Sequence, residues 1–184
     1  MRFVKCLAAA ALLAIVFVTA AQADEGTKMD CADLDVKIPV PDFDVACTDF
    51  SGVVSASSLG RLKAERLTAI SEKQGQFIAV WDIRTLGATY IPRGGLEDDV
   101  RTFFDEEMGE WKSAAPVADF ELAQYVNRRA GGNEEECIAF RRQMQRRSGG
   151  GVSGFARMVL GIACTVSARQ ELIETLKQIE APGG

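Results

Sequence analysis

The chain has 184 residues, of which 47% are hydrophobic and 26% are charged, and its formal net charge is −5. A negative total argues against general binding to nucleic acid, whose phosphates it would repel. The sequence contains no histidine. This absence excludes Ser-His-Asp and Cys-His catalytic systems and histidine-based zinc sites, and we expect neither a metal nor any other cofactor.

The first 23 residues are typical of a signal peptide. Arg2 and Lys5 provide a positive start, residues 6–18 form an apolar run, and a small-x-small cleavage pattern ends at Ala23. The run is too short to span a membrane comfortably. We expect cleavage after Ala23 and export to the bacterial periplasm or beyond. Residues 24–184 then form a single exported domain with no further membrane span.

Four cysteines follow the predicted cleavage site: Cys31, Cys47, Cys137 and Cys164. In an oxidising compartment, four cysteines favour two disulfides, for which three connectivities exist. We expect nearest-neighbour pairing, Cys31 with Cys47 and Cys137 with Cys164. A redox-active pair is the alternative, but the Cys-x-x-Cys spacing that favours it is absent.

The stretch from residue 137 to residue 164 predicts a central hairpin. Two apolar runs flank a glycine-rich reversal at 149–151. Antiparallel pairing about these glycines places Cys137 opposite Cys164 and Phe140 opposite Gly161, so that an aromatic ring covers a strand glycine. Alternation then separates two faces: Cys137, Ala139, Ile162 and Cys164 on one, and Ile138, Phe140, Val159 and Ala163 on the other.

The remaining pattern predicts an α+β fold, a mostly antiparallel sheet of about five to six strands with packed helices. Residues 24–46 are predicted to be an irregular arm that its aspartates keep solvated. Calcium binding by these aspartates is the alternative, although the EF-hand spacing is missing.

Trp81 is expected to pack in the core. Besides the central hairpin, the predicted strands lie near 45–54, at 61–71 and 76–84 as a hairpin, and at 120–129.

Two amphipathic helices are predicted, at 96–112 and 168–180. The first follows from apolar residues at helical spacing and from the acidic residues 97–99 in its first turn. Its stripe consists of Leu96, Val100, Phe103, Phe104, Met108 and Trp111. The second helix begins after a capping serine. Its cap is Ser167 and its buried stripe consists of Leu172, Ile173, Leu176 and Ile179.

Arginine is the one concentrated polar feature, with seven residues in the range 128–157. If the loops and the hairpin tip lie together, their guanidinium groups would bind phosphate or carboxylate bidentately. The ligand would be an anionic envelope component or an acidic partner protein. The alternative is a solubilising fringe partly matched by the acidic residues 134–136. The predicted anion or partner site, called the arginine edge below, consists of Arg141, Arg142, Arg146, Arg147 and Arg157, with Arg128 and Arg129 adjoining.

These features favour a non-enzymatic exported binding domain. The alternative is a carboxylate-dependent hydrolase of envelope material, for which Glu106, Glu107 and Glu110 are the candidates. A purely structural role in the envelope is a third possibility. A deep apolar cleft with two carboxylates about 5–10 Å apart would favour the hydrolase, whereas a shallow basic face would favour the binding domain.

Overall fold

The computed structural model describes residues 26–38, 42–51, 62–73, 75–87, 89–104, 108–128, 134–149, 152–165 and 169–180. Within these ranges the chain forms one antiparallel sheet of nine strands, two α-helices and a short 3-10 turn at Cys31–Asp33. The predicted signal peptide and its cleavage site lie outside the described residues. No helix within them is both long enough and apolar enough to cross a membrane.

The strands are β1 (Thr27–Met29), β2 (Asp44–Asp49), β3 (Leu62–Ser71), β4 (Gln76–Thr85), β5 (Ile91–Pro92), β6 (Lys112–Val117), β7 (Phe120–Arg128), β8 (Glu134–Gly149) and β9 (Val152–Thr165). The helices are α1 (Leu96–Phe104) and α2 (Arg169–Lys177). The strand order is β1-β2-β3-β4-β9-β8-β7-β6, and β5 pairs with β9 beyond the end of β4. The strands β3 and β4 confirm the predicted hairpin.

The central hairpin has the predicted register. Cys137 pairs with Cys164 and Phe140 pairs with Gly161. Both cysteine pairs are at disulfide distance with the predicted connectivity; the Cα atoms are 4.1 Å apart for Cys137 and Cys164, and 5.3 Å apart for Cys31 and Cys47. A β-carbon at Gly161 would collide with the Phe140 ring, so this aromatic residue requires glycine on the neighbouring strand.

Side-chain alternation gives the sheet two buried faces. The arm face is covered by residues 34–38 and by α2, and it contains Ile138, Phe140, Val159 and Ala163. The helix face lies partly under α1, and it contains Cys137, Ala139, Ile162 and Cys164. The predicted division of the hairpin residues between two faces is therefore confirmed. Both faces are apolar in the centre of the sheet, which explains the continuous run without polar side chains at 77–81 of β4 and at 158–164 of β9.

The predicted number of strands was too low, because three short or exposed strands were missed. β1 and β5 contain only three and two residues, and β6 is a mostly exposed edge strand that includes Pro116. None of them has the buried alternation that marks a strand in a sequence. Proline suits such an edge, since it lacks the N–H that a further strand would need.

Both helices are shorter than predicted. α1 ends at Phe104, whereas Met108 forms a β-bridge with Asn127 and the Gly109 N–H donates to the Val126 carbonyl at 2.9 Å. Met108 and Trp111 still pack against the core of the helix face. They satisfy the helical spacing without being helical. α2 ends at Lys177, the predicted cap Ser167 lies outside the described residues, and Leu176 and Ile179 are buried as predicted.

The N-terminal arm is more ordered than a solvated segment. Leu34, Val36 and Ile38 are buried against the sheet, and residue 37 exchanges two backbone hydrogen bonds with residue 180 after α2. The arm and the C-terminal segment thus hold each other over the arm face. The five aspartates of the arm, at 30, 33, 35, 42 and 44, are exposed as predicted, whereas every second residue from 34 to 38 points inward, which the prediction of a solvated arm missed.

Candidate anion-binding site on the helix face

The five arginines of the predicted edge do not form one surface. Arg141 lies on the helix face and is 5% exposed. Its Nη1 donates to Asp99 Oδ2 at 2.5 Å and to the Gly94 carbonyl at 2.9 Å, and its Nη2 donates to Glu121 Oε2 at 2.6 Å. This guanidinium group ties the start of α1 to the sheet, so its charge is already used within the protein.

Arg157 lies on the opposite, arm face and is also buried. Its Nε and Nη2 both donate to the fully buried Asp82 carboxylate at 2.9 Å. Arg84 donates to the same carboxylate and bridges to Asp35 of the arm, each at 2.5 Å. The hydrogen bond from Arg84 is the main reason why the pKa of the Asp35 carboxyl lies below its ordinary value. Arg157 is therefore part of a compensated internal network.

The other three arginines are more exposed but are also divided between the faces. Arg142 bridges to Asp119 at 3.0 Å, and Arg147 donates to the carbonyl groups of residues 87 and 89. Gln145 has a φ of 56°, but the register of β8 and β9 is the same on either side of it, so alternation leaves Arg146 exposed on the arm face and Arg147 on the helix face. The side chain of Arg128 and all of Arg129 lie outside the structural description.

The carboxylates proposed for a hydrolase do not form a pair in the described residues. Glu110 is exposed and lies 3.2 Å from the Lys112 ammonium group, while residues 106 and 107 lie outside the described ranges. Glu65 and Asp82 are opposite each other on the arm face. Each is neutralised, the first by Lys63 at 2.5 Å and the second by two arginines. Nor do the described residues bring three metal-ligating side chains together.

A different arginine, Arg66, has neither a hydrogen-bond acceptor nor an ion-pair partner among the described residues. Arg66 projects from β3 on the helix face, directly opposite Trp81 of β4. Its Cζ lies 4.9 Å from the ring centroid of Phe50 and 5.5 Å from that of Trp81. Its Nε is buried without a hydrogen-bond acceptor, and none of the ion pairs among the described residues includes it. Burial lowers the pKa of this guanidinium group, which means that its cationic form is poorly solvated.

Trp81, beside Arg66, also has a buried donor without an acceptor among the described residues. The residue is 5% exposed and packs between Phe50 and Phe103, at centroid distances of 4.8 and 5.6 Å. It is a core residue, as predicted. However, its indole Nε1–H has no acceptor in the part of the chain that the structure describes. Unpartnered buried donors are rare and costly, and an acceptor bound from outside is one common explanation.

The sheet face beyond Arg66 is partly apolar. α1 packs over β7, β8 and β9, whereas four residues along the strands from the Arg66–Trp81 pair, about 13 Å away, Ile70 is 46% exposed and Phe77 is half-buried. The exposed Lys28 lies on the same face, two strands from Arg66. The sheet therefore presents a partly desolvated guanidinium group that contacts two aromatic rings, with a second positive charge two strands away.

These positions define the candidate anion-binding site as Arg66, Trp81 and their aromatic neighbour Phe50.

Sequence reasoning placed Trp81 in a hairpin but gave Arg66 no role. The sequence did indicate that the two residues are neighbours, because antiparallel pairing that is symmetric about the turn of the predicted hairpin puts residue 66 opposite residue 81. Comparisons of the chain with protein-family models, with curated proteins and with solved structures found no match.

Proposed function

We propose that this chain is an exported, non-enzymatic binding domain whose ligand carries a carboxylate on an apolar scaffold. The observation that supports this most strongly is the pair of adjacent buried donors without acceptors, Arg66 Nε and Trp81 Nε1. A guanidinium group binds carboxylate through two parallel hydrogen bonds. Because the group is partly desolvated, such bonds are stronger than they would be in water.

A carboxylate fits this site better than a phosphate. A phosphate monoester carries a charge of about −1.5 to −2 at neutral pH. Arg66 supplies one positive charge at the site, and Lys28 is exposed and two strands away. The ring of the half-buried Phe50, which faces the Arg66 guanidinium group, suits an apolar group attached to a single negative charge.

Two members of the arginine edge, Arg142 and Arg146, remain a second candidate binding site. Arg146 is exposed at the end of β8, and Arg142 lies on the same face, although it is paired with Asp119. An anionic envelope component or an acidic partner protein would meet these two side chains first. Such contacts are exposed and would weaken steeply with salt, whereas binding at the partly buried Arg66 would depend less on salt.

The first experiment removes the charge of Arg66. We expect Arg66→Gln to weaken binding of benzoate, used as the probe, by about tenfold or more, because hydrogen bonds between charged groups contribute about 1.5–3 kcal/mol. Arg146→Gln removes the same charge at the arginine edge and should leave benzoate binding unchanged. Isothermal titration calorimetry would measure both affinities, and near-UV circular dichroism would check that each variant is folded.

The two candidates give opposite patterns. Benzoate binding that survives Arg66→Gln and falls in Arg146→Gln would reject the Arg66 site in favour of the arginine edge. If wild type does not bind benzoate, the proposed ligand class is wrong. Acetate is a useful comparison, because it has the carboxylate without the ring and should bind more weakly than benzoate.

Export is part of the proposal. The sequence pattern that ends at Ala23 supports it, and so do the two cysteine pairs at disulfide distance, which suit an oxidising compartment. Intact mass measurement of the native protein should give a chain that begins at Asp24. A product that retains Met1 in the cytoplasm would contradict export.

A further inference from the structure

A cavity lies beneath α1, on the same sheet face as Arg66 but beyond Phe103. It has a volume of about 210 Å³ and is bounded by the helix, the β5 segment and one end of the sheet. Its walls are mostly apolar, with Leu62, Ile83, Ile91 and Met158 among them. An engineered apolar cavity of about 150 Å³ is known to bind benzene. The cavity beneath α1 therefore has room for one ring with one or two further heavy atoms.

One carboxylate lines this cavity. Asp99 Oδ2 accepts a hydrogen bond from Arg141, while Asp99 Oδ1 has no hydrogen-bond donor among the described residues. The side chain is 18% exposed. A half-satisfied carboxylate at the edge of an apolar cavity is a polar group that can orient a ligand.

The surroundings of Asp99 are negative. Asp98 and Glu121 are close enough to act on it, and their charges, together with burial as the main cause, raise the pKa of the Asp99 carboxyl, against the opposing effect of Arg141. Arg141 is shared between Asp99 and Glu121. One cation is thus shared by two carboxylates, with Asp98 as a third negative charge near Asp99, and a positively charged ligand would reduce this excess.

We infer that the cavity beneath α1 binds a small ring compound with a protonated amine, the ring among the apolar walls and an N–H donated to Asp99 Oδ1. This site is separate from the carboxylate site at Arg66 and does not depend on it. The two sites have opposite charge preferences. They can therefore be tested with probes of the same size.

The test compares benzylamine, benzyl alcohol and benzoate by calorimetric titration. Benzylamine should bind at this cavity more tightly than benzyl alcohol. Asp99→Asn keeps the shape but removes the charge, and it should weaken benzylamine about tenfold or more while changing benzyl alcohol by less than about twofold. Arg66→Gln is the matched control, since it should leave benzylamine binding unchanged.

Filling the cavity provides a second, independent variant. Leu62→Phe, or Ile91→Phe if the first does not fold, should remove binding of benzylamine and benzyl alcohol together. The inference is overturned if benzylamine shows no saturable binding to wild type. It is also overturned if Asp99→Asn weakens the charged and neutral probes equally, or if benzylamine binding is lost in Arg66→Gln and kept in the filled variants.

Discussion

Replacing Asp82 by alanine should lower the free energy of unfolding by about 3–5 kcal/mol, the range for a buried ion pair that loses one partner. Asp82 is 1% exposed and accepts hydrogen bonds from both Arg157 and Arg84. Without it, Arg157 stays buried and loses both hydrogen bonds to its main carboxylate, while its ion pair with Asp35 is long, at 4.0 Å. A buried cation that loses its main carboxylate is costly, because its lost hydration is then poorly replaced.

Urea denaturation would measure this loss by linear extrapolation. Glu97→Ala is the control, since it breaks the exposed bridge to Arg101 and should cost only about 0.3–0.5 kcal/mol. Replacing Asp82 and Arg157 together by leucine and methionine should restore much of the stability, because no unpaired charge remains. If Asp82→Ala costs no more than Glu97→Ala, the network is not the anchor that its burial indicates.

Replacing Cys137 and Cys164 together by alanine should cost about 2–5 kcal/mol of stability. The two residues are 27 positions apart, lie opposite each other on β8 and β9, and are both buried. The covalent bond restricts the unfolded chain, although its entropic share depends on the model used. Replacing Cys31 and Cys47, which join the arm to β2, is the comparison and should release the arm from the sheet.

Peptide mapping without a reducing agent would establish both bonds before the variants are compared. Free thiols on Cys137 and Cys164 in the exported protein would contradict the disulfide and would reopen a redox role for this pair. Unchanged unfolding of wild type after full reduction would show that the bond contributes little to stability.

The centre of the fold could be predicted because its sequence contains independent signals that agree. The glycines at 149–151, the two cysteines and the Phe140–Gly161 pair all require one register. A shift by one residue would separate the cysteines and turn the apolar residues to the wrong faces. The hairpin of β3 and β4 was predictable for a similar reason, since its apolar runs are separated by a short polar turn.

The arginine edge shows that a cluster in the sequence reveals neither the sheet face nor the partner of each side chain. Arg141 and Arg157 are close in sequence, yet they lie on opposite faces and pair with Asp99 and Asp82, which are 42 and 75 positions away. Closeness in sequence indicated one surface, whereas alternation along strands divides such residues between two faces. Their partners come from other elements, and pairing between distant elements depends on a strand order that the sequence did not reveal.

Arg66 was missed for the opposite reason. It is a single cation within a run whose helical and strand patterns are both plausible, and nothing in its immediate sequence marks it as unusual. Its distinguishing property is the lack of a hydrogen-bond acceptor or carboxylate partner among the described residues, which becomes visible only when the neighbours of β3 are known. Phe50, which packs against both residues, with its ring tilted to that of Trp81, reaches them from the chain just after β2.

The most direct test of the proposed anion site is a nuclear magnetic resonance titration with benzoate. The chain has two tryptophans. Its spectrum should therefore contain two indole N–H signals, and Trp111→Phe would assign them. We expect the signals of Trp81 Nε1–H and Arg66 Nε–H to shift together and to saturate at the same benzoate concentration. Trp111, which stacks on Tyr125 at 5.6 Å, should not respond. An unchanged Trp81 signal, or an equal shift of both indoles, would contradict an anion site at Arg66.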